Sequence, residues 1–232
     1  MSFLSIPLLY WFAGLALLLP RIPVIGKWFN LINTAIHELG HALMALVLEG
    51  SVKKIELFND ASGSTTTSTK TKFGSFLVAI IGYPFSSLVS LFIFYLLNVG
   101  YEKGVLIGIS VIFMFMLFLW IRNIYGAIWM LVFCSINGYL VYLNNPQYIQ
   151  IAALLYGVFI AVDAVFSALV VLYYSLKQKD KAGDATLLKK ITGIPAFIWG
   201  LLFAGIAGVV FYLMITNCFV TILPVTEYIL TK

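Results

Sequence analysis

Seven apolar runs, near residues 3–20, 28–48, 74–97, 105–121, 123–143, 148–176 and 194–217, constrain every fold open to this 232-residue chain. A helix needs about 20 mostly apolar residues to cross a hydrocarbon core about 30 Å thick. Only structures that bond all of their own backbone polar groups survive there. The composition agrees. Hydrophobic residues make up 62% of the chain and charged residues 10%, against about 45–50% and 25% in soluble domains. Mean hydropathy is +1.04. The expected fold is an all-α polytopic membrane protein with about 6–7 transmembrane helices, forming one intramembrane domain over 1–232. The first run lacks a basic segment and a small-x-small cleavage site, so it reads as a membrane helix rather than a removed signal peptide. Cys134 and Cys218 lie far apart in apolar segments and read as buried small residues, not as a disulfide or metal pair.

Two polar segments interrupt the runs, 51–72 and 177–190. In the first, "SVKKIELF" places Ile55 and Leu57 on one side with Glu56 between them. "NDASG" is a turn signal, and "STTTST" favours strand over helix. The expectation is a small β-hairpin after the second helix, lying against the bundle.

Lys and Arg set the orientation. With seven crossings, one face receives Lys53, Lys54, Lys70, Lys72, Arg122, Lys177, Lys179, Lys181, Lys189 and Lys190. The other receives Arg21, Lys27, Lys103 and Lys232. The richer face is expected in the cytoplasm, which makes the chain a multi-pass protein of the cell membrane with its N-terminus inside. Basic loops beside anionic lipid account for the net charge of +5 without nucleic acid.

The second run holds "TAIHELGHALMAL" at 34–46, with both histidines of the chain. On a helix His37 and His41 stand one turn apart on one face, where two imidazoles can reach the same ion. Glu38 is placed to touch a water on that ion. This is the H-E-x-x-H arrangement of two zinc ligands and a general base. Ionisable residues inside a membrane helix are expensive and usually functional, which favours a Zn2+ site over packed histidines.

The motif resembles the site-2 protease family of intramembrane zinc metalloproteases, and within it a compact branch. "AIIGYPF" resembles the "GY" near the start of that branch's next helix. "RNIYG" at 122–126 resembles its Arg-Asn-x-Tyr-Gly element, and "GDATLLKKITGIPAFIW" at 183–199 its "SDAxxLAxxTGxPxxxW" element, with Gly183 in place of the serine. The N-x-x-P…L-D-G element that supplies the third ligand elsewhere in the family is absent. The resemblance implies Asp184 as that ligand, where capping a short helix is the alternative. Asp163, a lone acid near the middle of the sixth span, is the physical rival, and it needs a partner of some kind. Asn123 is a candidate hydrogen-bond donor to the oxyanion or the substrate backbone.

The expected function is a zinc-dependent intramembrane endopeptidase that cuts a membrane protein substrate near the cytoplasmic side. The alternatives are a non-catalytic metal-binding or transport protein, or a degenerate homologue that binds membrane partners without cutting them.

Overall fold

A computed structural model describes residues 25–178 and 181–219, together with Gly14. The expected span at 3–20, Gly14 apart, and the Cys218 side chain lie outside the described residues. Among those described, seven helices and one hairpin run in the order α1 (Ile25–Val47), β1 (Ser51–Leu57), β2 (Gly63–Ser68), α2 (Lys72–Asn98), α3 (Glu102–Leu119), α4 (Ile124–Leu143), α5 (Pro146–Lys177), α6 (Gly183–Thr192) and α7 (Ala196–Met214). A short π turn, Ile215–Phe219, follows. Five helices, α2, α3, α4, α5 and α7, are long and apolar enough to cross a membrane.

The helix that carries both histidines is not among those five. Its 23 residues span roughly 35 Å, but Asn30, Asn33, Thr34, His37, Glu38 and His41 dilute its apolar character. It packs instead against α2, α5 and the hairpin, burying Leu31, Ile32, Ala35, Ile36, Leu39 and Ala42. Enclosure by apolar neighbours makes a polar stripe tolerable at membrane depth, because the stripe faces protein and cavity rather than lipid.

The segment after α1 forms the expected hairpin. β1 and β2 pair antiparallel from Ser51↔Ser68 to Leu57↔Gly63, with a bulge between Val52 and Lys54. The connecting turn is tight. Phe58 N–H donates to Ser62 O at 2.9 Å, and Ser62 donates to Asp60 Oδ1 from its backbone N–H at 3.0 Å and its hydroxyl at 2.6 Å. Ile55 and Leu57 are fully buried, as their alternation requires.

The short break between the fourth and fifth spans has a structural cause. After the C-cap Trp120, Ile121 lies along the outer edge of β1. Ile55 N–H donates to Trp120 O at 2.7 Å and Arg122 N–H donates to Ile55 O at 3.1 Å, forming a parallel bridge between Ile55 and Ile121. The chain needs no loop there, because the strand edge takes up its backbone groups.

α5 is 32 residues long, roughly 48 Å, so it outruns the hydrocarbon core. The chain beyond it returns as α6, capped at its end by Gly193 in the left-handed conformation (φ 78°). Ala182 is the N-cap of α6, and Thr186 Oγ1 accepts its N–H at 3.0 Å. Asp184 lies in the first turn and caps nothing.

Candidate metal centre

Helix periodicity brings the two imidazoles of α1 together, with Nε2 of His37 and Nε2 of His41 3.0 Å apart. α6 folds back over them. Asp184 Oδ2 lies 3.1 Å from His37 Nε2 and 3.2 Å from His41 Nε2. These three residues form the one cluster of His, Cys, Asp or Glu among the described residues that could hold a metal ion. The Asp184 carboxyl is held well below the ordinary carboxylate range: burial pushes it up, and His41 and His37 more than reverse that.

Two observations test whether the cluster suits zinc. His41 Nδ1 lies 2.6 Å from the carbonyl of Val78. A carbonyl only accepts, so Nδ1 carries a proton, which leaves Nε2 as the nitrogen that can turn a lone pair towards Asp184 and His37 when the ring is neutral. A backbone carbonyl behind the imidazole is the usual partner that orients a metal-ligating histidine. Asp184 Oδ2, for its part, is buried and faces the two imidazole nitrogens. With both Nε2 atoms deprotonated, as metal binding requires, three acceptor atoms would converge on one point, which suits a cation. Tetrahedral zinc with bonds of 2.0–2.1 Å needs ligand atoms about 3.3 Å apart. The observed separations of 3.0, 3.1 and 3.2 Å fit that group.

α2 closes the cluster from the other side at Gly82. A Cβ there would stand 2.4 Å from His37 Cε1 and 2.7 Å from His41 Nε2, so only glycine allows the helix to lie over both rings. Tyr83 meets the His37 ring edge-on, with centroids 4.4 Å apart.

Glu38 is 6% exposed and is held by the hairpin. Thr65 donates its hydroxyl to Glu38 Oε2 at 2.6 Å. Thr65 pairs with Ile55 and Gly63 with Leu57, so all four side-chain positions share the inward face of the hairpin. At Gly63 a Cβ would stand 2.7 Å from Glu38 Oε1. Thr34 anchors the turn above by donating to Ala61 O at 2.8 Å.

A cavity of about 650 Å³ opens beside these groups, walled by α1, the hairpin turn, α5 and the start of α6. His37, Glu38 and Asp184 line it. Asp163 lines it too, but lies outside the metal cluster and accepts a hydrogen bond from Asn33 Nδ2 at 2.9 Å. The structure thus brings Asp184 to the histidines and pairs Asp163 with an amide. Asn123 sits elsewhere. Its Oδ1 accepts from Leu57 N–H at 3.1 Å and its Nδ2 donates to Leu57 O at 2.5 Å, so the carboxamide continues the β1 edge like a strand residue.

Val78, Gly82, Tyr83 and Thr65 were not singled out by residue chemistry. The "GY" element pointed towards two of them, and the alternation of Ile55 and Leu57 with the hairpin register would place Thr65 inward.

A family model described as Peptidase M50B-like matches residues 8–214. No curated protein and no solved structure matches the chain.

Proposed function

Because the chain belongs to the Peptidase M50B-like family, a site-2 protease family, we propose that it is a zinc-dependent intramembrane endopeptidase that cuts a membrane-embedded protein near the cytoplasmic face. The observation that carries this reading is the close triangle of His37, His41 and Asp184 with Glu38 beside it.

His37 Nε2, His41 Nε2 and Asp184 Oδ2 are the atoms that would hold the ion. Zinc, when bound, polarises a carbonyl and lowers the pKa of a coordinated water to about 7. Glu38 supplies the proton traffic. Its carboxylate takes a proton from the attacking water and hands it to the departing amine. The Thr65 hydroxyl fixes one carboxylate oxygen, which leaves the other for the water. The polar cavity admits that water at a depth where lipid would exclude it.

A membrane helix hides its peptide bonds, so the substrate must unwind locally before it is cut. β2 is an end strand of the hairpin among the described residues, while β1 has its outer edge occupied by Trp120–Arg122. The open edge of β2 can take the unwound segment as an added strand. The lysine-rich hairpin and α6 then lie on the cytoplasmic side, with the N-terminus inside.

The test compares wild type with Glu38→Gln on a single-span reporter helix in nanodiscs. Wild type should cut the reporter. Glu38→Gln should abolish cleavage and keep its zinc, because it removes the base and not a ligand. Undiminished cleavage by Glu38→Gln would sink the mechanism.

A further inference from the structure

The deep end of the cavity carries polar groups that hydrolysis does not use. Asn33 and Asn30 lie one and two turns from His37 towards the start of α1, and both line the cavity with Asp163 of α5. Asn33 Nδ2 donates to Asp163 Oδ2 at 2.9 Å, which orients Asn33 Oδ1 away from that oxygen. Asn33 is 2% exposed, and its Oδ1 is buried and accepts no hydrogen bond. Asn30 Oδ1 is likewise buried without a partner. Among the described residues, the cavity lining includes four carboxylates, Glu38, Asp60, Asp163 and Asp184, and no lysine or arginine.

We propose that Asp163, Asn33 and Asn30 form a subsite that receives a lysine or arginine side chain of the membrane-embedded substrate, next to the segment being cut. This rests on the peptidase reading for its role, though not for its binding chemistry. Ammonium and guanidinium groups are donors without acceptors, and the subsite offers the Asp163 carboxylate and two buried amide oxygens that accept no bond among the described residues. A basic residue inside a membrane span is costly in lipid, so a site that pairs it stabilises the entering segment. An apolar side chain would leave both amide oxygens unmatched and the Asp163 carboxylate with Asn33 alone. A site built to hydrogen-bond a substrate group discriminates strongly against analogues that lack it.

The experiment uses single-span reporter helices in nanodiscs that differ at one position at a time, carrying Lys, Gln or Leu. Affinity is measured with the full-length, zinc-loaded Glu38→Gln protein, and cleavage with wild type. At one position Lys should bind at least about tenfold more tightly than Leu, with Gln between them. Adding Asp163→Asn should bring the Lys-to-Leu ratio close to one without loss of zinc. Asn33→Ala should reduce the ratio in part, and it carries the test if Asp163→Asn does not fold. The subsite is overturned if no position prefers Lys, if Gln binds as well as Lys, or if the preference survives both substitutions. The two readings fail separately. A Lys preference in binding without cleavage of any reporter keeps the subsite and removes the peptidase. Cleavage without the preference does the reverse.

Discussion

Thr65 Oγ1 stands 2.6 Å from Glu38 Oε2, a bond between a hairpin strand and the helix that carries the histidines. It ties the orientation of the Glu38 carboxylate, the proposed general base, to the folding of β2. Thr65→Val removes the donor and keeps the shape. A hydrogen bond to a charged group contributes about 1.5–3 kcal/mol, so kcat on a helical reporter should fall roughly tenfold or more. Zinc content, measured on the same sample, should not change.

Gly82 is the second place where a neighbouring element governs the centre. Gly82→Ala puts a methyl group 2.4–2.7 Å from the two imidazoles. α2 or the rings must shift, so zinc affinity should drop while the protein stays helical. Competition with a chelator of known affinity gives the first quantity, and circular dichroism the second. Unchanged affinity would mean that α2 does not lie over the rings.

Asp184 and Asp163 separate on metal affinity. Asp184→Asn removes the charged ligand of the triangle and should weaken zinc binding by several tens of fold or more. Asp163→Asn should leave it near the wild-type value, since Asp163 answers Asn33 and not the histidines. Isothermal titration of zinc into the metal-stripped variants gives both numbers. The reverse pattern would move the ligand to α5.

How much of this was legible in the sequence varied with the range of the interaction. Local periodicity is enough to put His37 and His41 on one face, and alternation is enough to turn Ile55 and Leu57 inward. Which aspartate reaches the histidines depends on how far α5 runs and how the chain turns back into α6. No local pattern encodes that, so Asp163 and Asp184 stayed open on residue chemistry alone. Asn123 looked like a free donor because its partner, Leu57, is 66 residues away in the chain. The contacts of Gly82 and Thr65 are close approaches between elements, visible only once those elements are packed.

Orientation follows from the lysines. Ser64 and Lys190 are exposed and belong to the face expected in the cytoplasm. With Cys134 and Cys218 replaced as background, single cysteines at either position should resist an impermeant thiol reagent applied to intact cells and react after permeabilisation. Efficient labelling of intact cells would invert the topology.

The most direct measurement titrates zinc into metal-stripped protein while cleavage of a single-span reporter is followed. Cleavage should be absent at the start, rise with added zinc and saturate at about one ion per chain, as three protein ligands and one open position require. The His37→Ala, His41→Ala double variant should neither bind that ion nor cut. Full cleavage before any zinc is added, or one tightly held ion per chain in the double variant, would contradict the assignment of the centre.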